Sequence, residues 1–371
     1  MGINKLLGEN KFLSALAGAA VLPFSVIRVI KRLFVQQGTC TVALCFHKLG
    51  DSVFTLPALR ALSDNLKEDF YIFCFEETKP IYEFYFNKDF IIGFSHPDIH
   101  LNNRFAGTKI RKKLASLNPL HIYDFTGSVT SASLLLTSAA KEVTGIHEPY
   151  YRSLYTLPVP IRKEPHILDI YLDVIRKAFP GHDYENYKEF PVKSNPEGYI
   201  LIHPFAGWAA KEWEMEKFIK AAKVLSVNYN IAFVAESGLM KSEDIAELDK
   251  SGIVTFETKT ITELINVIKK SSLMFSNDSG PAYIASALGI PTFTIFGPTN
   301  PGFHIPYGNG HRYIQKKIKC SPLTEKYCFT DGGRNGCPSF ECMKQLTVDD
   351  ILNSISPFIK ELGINSKNAV R

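Results

Sequence analysis

The chain has 371 residues, of which 45% are hydrophobic and 21% charged, with a formal net charge of +5. Such a length holds two ordinary domains with ample core, and the composition excludes a disordered or fibrous chain. The charge suits an anionic substrate or a membrane surface and is far too weak to argue for nucleic acid as a partner.

In chain order, Phe12 to Ile27 is free of charge, with Lys5 and Lys11 before it and Arg28, Lys31 and Arg32 after it. Sixteen uncharged residues containing Pro23 fall short of the roughly 20 that a spanning helix needs. The pattern predicts a helix, whole or broken, lying on a membrane surface with its basic residues toward anionic lipid. A helix packed on the protein itself is the plainer alternative, and Ala17-Gly18-Ala19 leaves a signal-peptide reading open.

Thr41 to Phe46 reads as a buried strand. It leads into His47-Lys48-Leu49-Gly50-Asp51-Ser52 and then a helix over Val53–Asn65, with Leu56, Leu59 and Leu62 at helical spacing. Strands follow at Tyr71–Phe75, Phe90–Phe94 and His121–Phe125, the last preceding Thr126-Gly127-Ser128 and a helix through Ala139. Alternation of strand and helix predicts a parallel sheet with ligands at the strand C-termini. Six prolines between Pro158 and Pro196, with helical periodicity at Ile167–Ala178, mark an interdomain connection.

The alternation then restarts. Tyr199–His203 is a strand, followed by a helix over Met215–Val227 and a strand at Ile231–Val234. A helix near Ser242–Leu248, a strand at Ile253–Phe256 and a helix at Ile261–Lys270 come next. Leu273–Ser276 is a strand entering the polar corner Asn277-Asp278-Ser279-Gly280. Pro281 suits a first helical turn, because the nitrogen there would lack a partner anyway. Gly289 stops that helix, and Pro291–Phe296 is a buried strand ending in Gly297-Pro298-Thr299. A small-residue turn at a helix N-terminus makes an anion pocket, so Asp278–Gly280 reads as the site of a phosphate-type ligand. Two α/β halves whose ligand turns face each other predict a cleft between two Rossmann-like domains. The expected division is an apolar/basic extension over 1–37, a first domain over 38–175, a linker over 176–198, a second domain over 199–346 and a C-terminal helix over 347–371.

Four blocks occur in order. They are Lys48-Leu49-Gly50-Asp51 with Pro57-Ala58-Leu59; His203-Pro204 with Lys211 and Trp213; Asp278-Ser279-Gly280; and Phe296-Gly297-Pro298-Thr299-Asn300-Pro301. In this combination the chain resembles the lipopolysaccharide heptosyltransferases, glycosyltransferase family nine, over roughly residues 40 to 360. The resemblance implies an α/β GT-B fold with two Rossmann-like α/β/α domains. It further implies an inverting, metal-independent transferase without a cofactor. Such an enzyme moves a heptose-like sugar from a nucleotide diphosphate donor, ADP-heptose or similar, to a lipid-linked saccharide. Its expected place is the cytoplasm, peripheral on the inner face of the cytoplasmic membrane.

On position alone Asp51 is equally a helix cap or a base; the resemblance makes it the catalytic base, with Lys48 and Gly50 on the acceptor side. By the same resemblance Lys211 meets the donor phosphates, where a lysine supplies cationic charge. A solvated lysine at a helix start is the ordinary alternative. Ser279 and Gly280 add a hydroxyl and an amide, and Asp278 braces the turn or meets the sugar. Many family members carry His where this chain has Tyr283, which donates one hydrogen bond but no positive charge. That departure points to a different donor, weaker transition-state help or an altered acceptor. Glu236, which directly ends its strand, is preferred over Glu243 for the donor ribose.

Cys320, Cys328, Cys337 and Cys342 lack a CxxC pair, leaving structural zinc, local disulfides or free thiols open. Cys40, Cys45 and Cys74 read as buried small hydrophobes in a reducing compartment. Lys109 with Arg111-Lys112-Lys113 reads by default as a solvated face, with contact to an anionic acceptor or lipid head group as the alternative. His96, His121 and His304 stand alone and receive no role. A non-catalytic or altered-specificity GT-B relative and a nucleotide-sugar epimerase are the alternatives. A dinucleotide oxidoreductase is disfavoured, since no GxGxxG follows a strand.

Overall fold

The computed structural model describes residues 11–34, 38–98, 107–193, 195–328, 337 and 339–367. The chain divides into two compact units, residues 1–188 and 189–371.

The first unit carries a six-stranded, all-parallel sheet. Its strands are β1 (Thr41–Cys45), β2 (Tyr71–Phe75), β3 (Ile91–Phe94), β4 (His121–Asp124), β5 (Glu142–His147) and β6 (Leu157–Pro160), in the order β3-β2-β1-β4-β5-β6. Every β1 residue is buried, as a continuous apolar run in a central parallel strand requires. Helix α2 (Leu49–Leu66) follows β1 and packs against α6 (Ile167–Ala178), with Leu56, Leu59 and Leu62 fully buried. Each such leucine contributes about 2 kcal/mol of apolar burial, so packing rather than intrinsic propensity holds a helix that contains Pro57.

Helix α1 (Lys11–Phe34) is continuous through Pro23. One stripe of this helix packs on the first unit, as the packed-helix reading expects, and another stripe is apolar and exposed. On the packed stripe, Ser25 Oγ donates to Ser153 Oγ at 3.0 Å, Arg28 donates to the Leu154 carbonyl, and Val21 lies on the first core. Leu22, Val26, Val29, Ile30 and Phe34 are exposed. Lys5 lies outside the described residues. No helix among the described residues is long and apolar enough to cross a membrane.

The second unit repeats the plan with β7 (Tyr199–His203), β8 (Ile231–Glu236), β9 (Val254–Thr258), β10 (Ser271–Asn277), β11 (Thr292–Phe296) and β12 (His311–Gln315), ordered β9-β8-β7-β10-β11-β12 and all parallel. Phe218, Phe275 and Phe293 form a ring ladder with centroids 5.2 and 5.7 Å apart. The C-terminal helix Val348–Glu361 places Ile351, Ile355, Phe358 and Ile359 in the same core, so it is built into this unit.

The segment expected as a linker is tied down on both sides of the division. Lys188 pairs with Asp169 at 2.9 Å and Tyr187 donates to Asp64 at 2.6 Å within the first unit. Within the second, Lys193 N donates to the Gly289 carbonyl at 2.7 Å, and Glu189 bridges to Tyr307.

Three strands escape the apolar pattern: β5, β6 and β12. The last two are edge strands, where Pro158, Pro160, Arg312 and Gln315 are tolerated because one side has no neighbour to pair with. Strand β5 contains Gly145, and any Cβ there would meet the Asp124 carbonyl oxygen at 2.4 Å. The helix expected through Ala139 ends earlier, at Val129–Leu135.

Both sheets follow the order in which strand succession reverses beside the first strand, between β1 and β4 and again between β7 and β10. Loops leaving the two neighbouring strands diverge there and open a crevice at their C-terminal ends.

Candidate active site

In the second unit the crevice is bounded by the loop after β7 and the turn after β10. Asn277, fully buried, staples the two together: its amide donates to the Pro204 carbonyl at 2.6 Å and its oxygen accepts from Trp213 N at 3.1 Å. This puts Lys211, 67 positions before Asp278 in sequence, against that aspartate with Nζ and Oδ2 2.6 Å apart. Trp208 lies beneath the same ammonium, 4.5 Å from ring centroid to Nζ.

Asp278 is only 2% exposed. Burial alone pushes its carboxyl up, but Lys211, His304 and the Tyr283 hydroxyl bond outweigh that and hold it down at about 2. The residue is therefore an anion at neutral pH. Helix α10 (Gly280–Ala287) begins at once, with Pro281 in its first turn and Ser279 as N-cap. The Ser279 hydroxyl makes no capping bond to the helix and lies 3.4 Å from His203 Nδ1. Burial presses His203 down to about 4, so that imidazole is neutral near pH 7. Amides of the first helical turn, a serine hydroxyl and a lysine thus converge on one turn, a set of donors suited to a diphosphate.

The structure distributes the remaining sequence candidates as follows. Tyr283, expected to touch the donor, is buried and spends its hydroxyl on Asp278; its effect on a ligand runs through that carboxylate. Glu236 stands exposed at the C-terminal end of β8, and Glu243 is in the first turn of the next helix, Ser242–Lys250. His304, given no role by its isolated position in sequence, is buried and electrostatically coupled to Asp278, with Tyr327 beside it at 6.1 Å. The signal that could have found it is the Asn300-Pro301 helix start: Asn300 Oδ1 accepts from Gly302 N at 3.0 Å and caps the short helix Pro301–His304 that carries His304.

In the first unit, helix α2 starts earlier than the pattern suggested, so Asp51 falls within its first turn while Lys48 is the N-cap and makes no side-chain capping bond. The capping alternative for Asp51 is thereby replaced by a first-turn carboxylate, favoured by the helix dipole. Gly50 precedes it in the same turn. The buried Tyr171 hydroxyl is directed at the Asp51 carboxylate, and burial together with that anion raises the phenol well above its usual value. His47 packs edge-on against Tyr171, 5.2 Å between centroids, and its Nε2 is buried without a hydrogen-bond partner. Burial lowers its pKa, with Asp51 working in the opposite direction. His47, which sequence reasoning left without a role, thus borders the candidate Asp51, four positions before it in the chain.

All seven cysteines are free thiols. Among the described residues, no set of three or more His, Cys, Asp or Glu is placed to hold a metal ion.

Residues 108–332 match the family model for glycosyltransferase family 9 (heptosyltransferase). The chain belongs to that family. This glycosyltransferase is 24% identical over 328 residues to lipooligosaccharide heptosyltransferase 2 of Campylobacter jejuni, a match spanning 83% of this chain and 95% of the relative. It is 23% identical over 303 residues to lipopolysaccharide heptosyltransferase 3 of Escherichia coli, across 71% and 84% of the two chains. In fold it is similar to the family 9 glycosyltransferase of Veillonella parvula (TM-score 0.68, 16% identity, 88% and 99% covered). It is also similar to E. coli heptosyltransferase WaaC with ADP-2-deoxy-2-fluoro heptose (TM-score 0.63, 16% identity, 85% and 99% covered). The two six-stranded parallel sheets are those of a GT-B glycosyltransferase.

Proposed function

We propose that this glycosyltransferase moves a heptose-like sugar from a nucleoside diphosphate, ADP-heptose or a close analogue, to a lipopolysaccharide or related lipid-linked glycan. The observation that carries the reading is the Lys211–Asp278 pair at the start of α10, beside an N-cap hydroxyl not used by its own helix. Relatives named as heptosyltransferases support the sugar class.

In this reading Asp51 takes the proton of the acceptor hydroxyl as its oxygen bonds to the anomeric carbon. The bond from that carbon to the diphosphate oxygen breaks on the opposite face, which inverts the centre. Negative charge grows on the leaving diphosphate, and Lys211, Ser279 Oγ and the Gly280 amide are the groups that would meet it. Asp278 and Tyr283 hold Lys211 in place, so charge neutralisation falls to the protein and the reaction needs no metal. Glu236 is the proposed ribose contact, and Lys48 and Gly50 border the acceptor. The exposed face of α1 would rest on the inner surface of the cytoplasmic membrane, where a lipid-linked acceptor is presented.

Thermal-shift screening of ADP- and UDP-sugars tests the donor assignment, because a ligand bound by the folded state alone must stabilise it. An ADP-sugar should raise the midpoint, and silence across the whole panel would refute the proposal. Transfer should survive a chelator; a strict need for Mg²⁺ or Mn²⁺ contradicts the metal-free mechanism.

A further inference from the structure

Helix α4 (Thr108–Leu117) carries Lys109, Arg111, Lys112 and Lys113, and lies more than seventy residues beyond the end of α1. In the fold the two helices border one cavity of about 590 Å³. Lys31 comes from α1, Arg111 and Lys112 from α4, and Asn118 and Ser138 add polar groups over an apolar floor that includes Leu114. Among the described residues that line it there is no carboxylate. Lys109, which faces Asp98 at 3.1 Å, is not among the lining residues.

The position of this cavity on the unit gives its chemistry a direction. At 100° per residue, Lys31 falls at the edge of the α1 face that exposes Val26, Val29, Ile30 and Phe34. A bilayer receiving that apolar face would hold its phosphates level with the flanking lysine, the arrangement of an interfacial helix whose cations border its buried stripe. Arg111 and Lys112 then extend the cationic rim away from α1, and the apolar floor suits the glycerol and first methylenes of a lipid.

We propose that this cavity binds the phosphate headgroup of an anionic lipid, and so fixes how the first unit sits on the membrane. The inference rests on the reading of α1 as an interfacial helix and adds a specific headgroup site to it. Charge complementarity selects the occupant: a rim carrying Lys31, Arg111 and Lys112 attracts a lipid phosphate and gives no preference for a zwitterionic surface.

The test is flotation of the full-length protein with vesicles of phosphatidylcholine alone or mixed with phosphatidylglycerol. Wild type should bind the mixed vesicles at least about tenfold more tightly, as expected for several basic side chains near an anionic surface. Arg111→Glu with Lys112→Glu should abolish that preference, keep residual binding to both vesicles through α1, and leave the melting temperature unchanged. Val26→Asp with Ile30→Asp should weaken binding to both vesicle types. A charge-reversed protein that keeps its phosphatidylglycerol preference overturns the headgroup site alone. So does stabilisation of wild type by inorganic phosphate without any vesicle preference. Failure of wild type to bind either vesicle overturns the interfacial helix and the headgroup site together.

Discussion

Replacing Lys211 by methionine keeps the bulk of the side chain and removes the cation from a carboxylate that is 2% exposed. Breaking a buried pair from one side costs about 3–5 kcal/mol where both members are fully enclosed. Lys211 retains 13% side-chain exposure, and Asp278 keeps the Tyr283 hydroxyl, so the cost falls to or just below the bottom of that range, roughly 2–3 kcal/mol. The titration of Asp278 gives a similar figure. Lowering its carboxyl from 3.8 to about 2 corresponds to on the order of 2 kcal/mol at neutral pH. Because the folded value is depressed, that stabilisation is present above pH of about 4 and is lost as pH falls toward 2.

The two tryptophans of the chain, Trp208 and Trp213, flank this site, so urea unfolding followed by their fluorescence reports the second unit directly. At pH 7, Lys211→Met should lose the 2–3 kcal/mol argued above, roughly. Asp278→Asn on that background should recover part of the loss, since it removes the stranded charge. Donor affinity should fall at least about tenfold in Lys211→Met, the loss of one charge-assisted contact. Additive single and double variants, or a Lys211→Met protein as stable as wild type, would refute the buried-pair reasoning.

Tyr283→Phe removes the hydroxyl from Asp278 and should cost about 1.5–3 kcal/mol, the worth of a hydrogen bond to a charged group; an unchanged urea midpoint would count against the brace. Gly145→Ala places a methyl group 2.4 Å from the Asp124 carbonyl oxygen and should destabilise the first unit by at least about 2 kcal/mol by circular dichroism. His203, pressed by burial to about 4, takes up protons mainly on unfolding between pH 6.5 and 4. Stability should therefore fall as pH drops through that window, and His203→Gln should flatten the fall in tryptophan-monitored melts.

The central parallel strands were legible in the sequence because burial on both faces leaves an uninterrupted apolar run, as in Val42–Cys45 and Leu273–Phe275. The turn at Asp278–Gly280 was legible for a different reason: Pro281 and Gly289 punctuate its helix at the positions their backbones favour. Edge strands such as Leu157–Pro160 were hidden, since an edge relaxes the demand for apolar residues and tolerates proline. Most of the hidden features of the site are partnerships. That Tyr283 spends its hydroxyl on Asp278, that His304 returns to the same carboxylate, and that Lys31 meets Arg111 across a cavity depend on which loops topology brings together. His47 was hidden too, because nothing in its spacing reveals a buried nitrogen beside Tyr171.

Transfer measured with Asp51→Asn tests the central claim most directly. With ADP-heptose and a lipopolysaccharide-core acceptor, the wild-type enzyme should release ADP in step with acceptor glycosylation. Asp51→Asn, isosteric but unable to take the proton, should bind donor normally and lose about 10²–10⁴-fold in turnover, the range for a positioned general base. Wild-type turnover retained by Asp51→Asn, or no ADP released by the native enzyme from any sugar donor, would contradict the account.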